Sequence, residues 1–234
     1  MSVEGFRDAS TDLLLDLARP SRHDVVLDYA CGVGMAALAL ASVVEQVQAV
    51  DELADSLDEG RRLAAELDPG AVEFLLVDLS ALPFADGDFS LVVCLDALHR
   101  LPAPAAALAE MARVTSPGGR IVVLDLVVDG VTDDALNELA RLRDPGHRGY
   151  RTANRLAALA EEAGLGIAEQ RLERRTVDLE YWLQAAAVPA QTADLVRLRL
   201  REMTPAVQER LDLAFADDLV SFSFDVLGLR LERA

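Results

Sequence analysis

Two periods alternate along the first half of the chain. Short aliphatic runs bounded by turn residues read as strands, and between them apolar residues recur three and four positions apart, as on one face of a helix. Helical spacing over 7–19 stops at Pro20. Val25–Tyr29 is predicted as the first strand, with a helix from Gly34 onward. A second strand ends at Asp51, and the polar-faced helix 55–67 is broken by Asp68, Pro69 and Gly70. The third strand ends at Asp78 and the fourth spans 91–94. A helix over 105–114 meets the breaker Ser116-Pro117-Gly118-Gly119, and the fifth strand covers 120–128.

Beyond 128 the pattern loosens. A helix runs into a polar loop before 153–163, which reads as a helix with Gly164 as its C-terminal stop. Residues 166–179 alternate as a strand, 181–213 are largely helical with interruptions at Pro189 and Pro205, and 221–232 form a closing strand. Apolar strands alternating with helices predict an α/β fold: a doubly wound, mostly parallel, Rossmann-like seven-stranded sheet with a helical cover. Ligands of such sheets sit outside the carboxyl ends of the strands. Asp28, Asp51 and Asp78 lie at three of those ends and are expected to share one crevice.

Charge narrows the partners. The formal net charge is −18, which disfavours nucleic acid and anionic membranes, since both are held by clustered cations. No apolar run reaches the ~20 residues of a membrane span, and the first ten residues do not read as a secretory signal, so a cytoplasmic protein is expected. All 22 basic residues are arginine, which excludes a phosphate-loop lysine, a lysine Schiff base and a lysine general base. Cys31 and Cys94 are too few for a disulfide framework or a metal site, and no metal is expected.

The densest chemistry lies in 25–41, VVLDYACGVGMAALALA: a strand, a small-residue turn and a helix start. Gly32 to Ala37 fit the G-x-G-x-x-A form of a nucleotide-binding turn, and Asp51 lies at the spacing of a ribose-binding acid. A dinucleotide would put a diphosphate near Asp28, where a carboxylate repels it. S-adenosylmethionine carries an ammonium and a sulfonium and no phosphate, so three acids suit it better. The other reading of such acids is helix N-capping, evenly balanced for any single one.

Three segments in order carry a resemblance. LDYACGVG is similar to the first motif of class I S-adenosylmethionine-dependent methyltransferases, usually LD-x-G-C-G-x-G. VDLSALPFADGDFSLVVC resembles that family's third-strand acid, Leu-Pro-Phe turn and fourth strand, and ALHRLPAPAAALAEMARVTSPGGRIVVLD its following helix and fifth strand. The closest branch contains small-molecule methyltransferases, including those of ubiquinone and menaquinone biosynthesis. Residues 143–165 also resemble a downstream segment of it. Ala30, Val33 and Arg100 depart from the pattern, which usually has glycine, threonine or serine, and histidine there.

The resemblance implies one domain over 1–234: an N-terminal helical cap (1–24), a cofactor-binding core (25–128), a substrate cover with helices and the sixth strand (129–218), and a closing strand (219–234). It implies that Ala30, Gly32 and Gly34 line the methionine part of S-adenosylmethionine, with Asp28 near its ammonium. Asp51 would take the ribose hydroxyls, with Glu52 and Leu53 near the adenine. Asp78 would take the adenine amino group, Leu79 would offer its N–H to the ring, and Cys94 and Leu95 would flank the methionine.

Methyl transfer to a phenol or carbon acid gains from a general base, and without lysine the candidates are histidines. His23 lies at the far end of the first strand. His147 and His99 remain, His147 ranked slightly higher, each weighed against a structural role. Arg148 and Tyr150 beside His147 are candidate substrate contacts. Arg143, Arg148 and Arg151 suit either an anionic group on a substrate or pairing with surface acids. Tyr181, Trp182 and Leu183 read as pocket wall or as core. The expected activity is methylation of a small, fairly apolar molecule at oxygen or carbon. The alternatives are a methyltransferase-fold protein that performs cyclisation and a non-catalytic binding protein. The apolar C-terminal half suits a homodimer as well as a pocket.

Overall fold

The computed structural model describes residues 9–216 and 219–233. Of the N-terminal cap expected over 1–24, residues 1–8 lie outside these, as do 217, 218 and 234 of the later segments. The elements run α1 (Ala9–Ala18), β1 (Val25–Tyr29), α2 (Met35–Leu40), β2 (Gln46–Asp51), α3 (Ala54–Leu67), β3 (Val72–Leu76), β4 (Phe89–Leu95), α4 (Pro104–Val114) and β5 (Thr115–Val128). Then follow α5 (Asp133–Arg143), β6 (Arg151–Thr152), α6 (Ala153–Glu162), β7 (Leu165–Asp178), α7 (Leu179–Gln184), α8 (Ala190–Glu202), α9 (Pro205–Arg210), β8 (Ala214–Ala216) and β9 (Leu219–Arg233).

The sheet order is β3-β2-β1-β4-β5-β9-β7, so seven strands form the path. Two short strands lie off it: β6 pairs with β5 and β8 with β9. Neither is in the sequence reading, because two and three residues are too few to show a period. The pairs β1–β2, β1–β4, β2–β3 and β4–β5 are all parallel. This is the Rossmann-like α/β class that the alternating pattern predicts.

The contacts divide the chain into two compact units. The first comprises the described residues of Met1–Leu124, Ala157–Arg171 and Gly228–Ala234; the second comprises Asp125–Leu156 and Leu172–Leu227. In the first, Val26, Leu27, Val50, Val92, Val93 and Val122 are fully buried, as expected of strands covered on both faces. Asp68 ends α3 in a left-handed conformation (φ 46°), so the Asp-Pro-Gly breaker acts where the sequence puts it. In the second, Leu126, Leu139, Leu179, Leu183, Val196, Leu200 and Phe222 form a separate core. Pro189 caps α8 and Pro205 is in the first turn of α9, whose Thr204 side chain accepts the Val207 N–H. Both prolines start helices there, where a missing N–H costs no intrahelical bond.

Candidate cofactor site

β1 ends in a turn whose alternate residues take positive φ: Ala30 (56°), Gly32 (56°) and Gly34 (82°). Ala30 adopts the conformation that the glycine of the family pattern adopts freely, at a cost of about 1–2 kcal/mol for its Cβ. The turn is tied down by Cys31 N–H to the Val50 carbonyl (3.0 Å) and Gly34 N–H to the Cys31 carbonyl (2.8 Å). Parallel pairing sets Tyr29 against Val50, which puts Asp51 level with the turn. One Asp51 oxygen accepts the Gly32 N–H (2.8 Å) and the other the Leu53 N–H (3.0 Å). The carboxylate therefore joins the glycine turn to the start of α3, and Asp51 is only 7% exposed.

The two glycines do different work. A Cβ built on Gly32 meets no heavy atom within 4 Å, so the space over that peptide is open. A Cβ on Gly34 would lie 2.5 Å from the Phe74 ring, and one on Gly60 of α3 would also lie 2.5 Å from it. Gly34 and Gly60 make room for Phe74 of β3, whereas Gly32 leaves bare backbone that a ligand can approach.

Asp28 is 1% exposed, and its carboxyl accepts the N–H of Ala37 in the first turn of α2 (2.9 Å). The structure thus shows the helix-capping contact that was one of the two sequence readings. Burial drives its pKa up to about 7, against the Ala37 hydrogen bond and with help from the Asp51 charge. Burial also pushes the Cys31 thiol up, reinforced by Asp28 and Asp51, so Cys31 is no thiolate nucleophile. Cys94 is fully buried in β4, and Leu95 ends that strand half-buried.

The loop after β3 supplies the next groups. Asp78 is exposed and accepts both the N–H and the hydroxyl of Ser80 (2.8 and 2.6 Å), which hold it below the usual carboxylate range. Leu79 is gripped from two sides: its carbonyl accepts the Tyr29 hydroxyl (2.7 Å) and its N–H donates to Glu52 Oε1 (3.1 Å). Tyr29, Glu52, Leu79 and Ser80 line a recess of about 80 Å3 closed by Leu101–Pro102–Ala103 and by Ala106 and Ala107 of α4. Sequence reasoning missed Tyr29 and the α4 wall. The available signal for Tyr29 was a polar-tipped aromatic ending a buried strand. Leu53 is half exposed beside Asp51. His99 is half-buried in the turn after β4, and His23 is exposed.

His147, Arg148 and Tyr150 belong to the second unit. His147 is buried, its ring edge-on to Tyr150 at 4.4 Å. Its Nε2 lies 2.7 Å from Asn137 Oδ1, the atom that also accepts the Tyr150 N–H (2.6 Å). A backbone N–H can only donate, so that amide atom is the oxygen. Asn137 Nδ2 then donates to Asp133 (2.6 Å), and His147 Nε2 must carry a proton. In the neutral ring the lone pair is on Nδ1. Arg148 is exposed. Arg143 stacks on Trp182 (4.7 Å) and donates to its carbonyl. Arg151 is half-buried, and burial lowers its pKa against the attraction of Asp125. The three arginines therefore have separate surroundings. Leu183 joins the second core and Trp182 packs on it, while Tyr181 is exposed. Among the described residues no group of acids, histidines and cysteines could hold a metal ion.

Residues 26–119 match the family model described as a methyltransferase domain. The chain therefore carries a match to a methyltransferase domain and is similar to methyltransferases over much of its length. It is 29% identical to the uncharacterized methyltransferase YcgJ of Bacillus subtilis over 76% of this chain and 71% of that one. It is 32% identical to the methyltransferase GfsG of Streptomyces halstedii (68% of this chain, 59% of the relative). It is 39% identical to the demethylmenaquinone methyltransferase of Renibacterium salmoninarum (43% and 40%). The chain thus spans less than two thirds of the latter two. The crystal structure of YcgJ superposes with a TM-score of 0.87 at 24% identity, covering 96% of this chain and 98% of that one, which establishes the shared fold. A geranyl diphosphate methyltransferase whose structure superposes with a TM-score of 0.66 at 17% identity was solved in complex with S-adenosylmethionine.

Proposed function

We propose that this protein is a methyltransferase that binds S-adenosylmethionine at the glycine turn and transfers its methyl group to oxygen or carbon of a small, fairly apolar acceptor. The observation that carries the reading is Asp51, buried between the Gly32 and Leu53 N–H groups beside the open face of Gly32. Two N–H bonds fix the carboxylate, and its remaining lone pairs suit a ribose diol. The recess beside Leu79 fits a purine: its walls are mostly apolar, and a backbone N–H, a carboxylate and a hydroxyl lie at its edge.

When bound, S-adenosylmethionine supplies a methyl group on a cationic sulfur. The residues here favour that charge. Asp28 and Asp51 place carboxyl groups under the turn, where low dielectric strengthens attraction to a cation. An ammonium near Asp28 would restore its ionised form. His147, held by Asn137 with a proton on Nε2, is our first candidate to take the acceptor's proton, with His99 the second. Arg148 and Tyr150 are the proposed acceptor contacts. Cys31 and Cys94 form no disulfide, which suits the reducing cytoplasm, where we place the protein. The charge of −18 argues for a small-molecule partner rather than nucleic acid.

Calorimetry with S-adenosylhomocysteine tests the reading. One site is expected per chain, with affinity reduced about 100-fold in Asp51→Ala, since charged hydrogen bonds contribute about 1.5–3 kcal/mol each. Unchanged binding by a folded Asp51→Ala variant would remove the site.

A further inference from the structure

The Leu79 N–H that would recognise a purine already has a partner: Glu52 Oε1 accepts it at 3.1 Å. The Tyr29 hydroxyl holds the Leu79 carbonyl at 2.7 Å, so the backbone at Leu79 is anchored. Glu52 itself lines the recess. A carboxylate is acceptor-only, as a purine ring nitrogen is toward this donor, and one N–H serves one strong acceptor at a time. We infer that Glu52 is a built-in competitor for the purine subsite, a residue that sets cofactor affinity and selectivity by occupying the Leu79 N–H. The inference rests on the purine being seated in this recess, as proposed above.

Three consequences follow from the chemistry. Binding exchanges a charge-assisted hydrogen bond for a neutral one, which weakens affinity relative to a recess without Glu52. A purine ring nitrogen can replace the carboxylate at the N–H, whereas a carbon at that ring position cannot, so the exchange penalises bases lacking the acceptor. The carboxylate also repels anionic ligands, which strengthens discrimination against phosphorylated nucleotides. Glu52 follows the ribose acid directly in the chain, so the Asp51–Glu52 pair combines an attractive group with a competing one.

The test is calorimetry on the full chain with S-adenosylhomocysteine, chosen because its sulfur is uncharged and the lost carboxylate does not alter attraction to a sulfonium. Glu52→Ala is expected to bind about tenfold more tightly than the wild type. Glu52→Gln keeps an acceptor without the charge and is expected in between. The same titrations with the 1-deazaadenosyl and 3-deazaadenosyl analogues show which ring atom replaces Glu52: the gain from Glu52→Ala should shrink for one of them. Thermal melts confirm that each variant is folded. Equal or weaker binding by folded Glu52→Ala would overturn the competition, while weakening in Asp51→Ala would leave the cofactor site standing. Binding by neither wild type nor Glu52→Ala would overturn both readings.

Discussion

The carboxylates around the glycine turn are held by backbone N–H groups, whereas several of those in the second unit are also paired with arginine. Near the turn, Asp28, Asp51 and Glu52 accept backbone N–H groups from Ala37, Gly32, Leu53 and Leu79. In the second unit, Arg210 joins Asp129 and Asp225, Arg174 joins Asp212 and Asp225, Arg197 joins Glu180 and Asp194, and Arg199 joins Glu138 and Glu202. Backbone donors fix an acid's position without cancelling its charge as arginine does, although burial raises the pKa of Asp28 to about 7. The turn is therefore a rigid acidic surface suited to a cation, and the second unit's acids serve its own structure. Acidic composition alone does not reveal this difference.

Five variants probe the comparison. The largest effect is expected at Asp28. Its folded pKa, about 7, is raised above the ordinary 3.8, so its stabilising contribution is complete below 3.8 and is lost as pH rises through 7. At about 1.4 kcal/mol per unit the loss amounts to roughly 4 kcal/mol. Urea titrations at pH 5 and pH 8 should show Asp28→Asn losing less stability across that interval than the wild type. Parallel behaviour would show that the buried carboxyl is not strained. Next is Gly34→Ala, which drives a methyl into the Phe74 ring at a positive φ and should cost about 3 kcal/mol. Gly32→Ala should cost about 1–2 kcal/mol of stability, from φ alone, yet weaken S-adenosylhomocysteine binding by blocking the open face. Equal stability losses would erase the distinction between the glycines.

In the second unit, Asn137→Leu removes the acceptor of the Tyr150 N–H and His147 Nε2 and should cost about 2 kcal/mol, measured by thermal melting. S-adenosylhomocysteine affinity should not change, because the cofactor residues belong to the first unit. The smallest effect is expected for Arg199→Ala, whose exposed ion pairs contribute about 0.5 kcal/mol or less, fading in high salt. A loss above 2 kcal/mol there would mean that the second unit depends on its arginines.

The order of strands, the glycine turn and Asp51 were legible because each is local: a run of β-branched residues, a cluster of small ones, an acid at a fixed distance. The partners that decide their roles were not. Phe74 makes Gly34 obligatory from 40 positions away. Tyr29 reaches Leu79 across 50 positions, and Glu52 reaches it across 27. Asn137 sets the His147 proton from 10 residues upstream on another element. No periodicity encodes such pairs, because they depend on the register between elements. Asp28 had two readings in the sequence, and burial with the Ala37 N–H establishes its capping contact. The strands β6 and β8 were too short to announce themselves.

The central claim is that the Asp51-anchored turn and the Leu79 recess hold one adenosyl ligand. A crystal structure of the full chain grown with S-adenosylhomocysteine tests it most directly. The account expects the ribose hydroxyls on Asp51, the purine against the Leu79 N–H with Glu52 turned away, and the amino acid portion over Gly32. Density for the ligand elsewhere, or a purine in the recess with the Glu52–Leu79 bond intact, would contradict it.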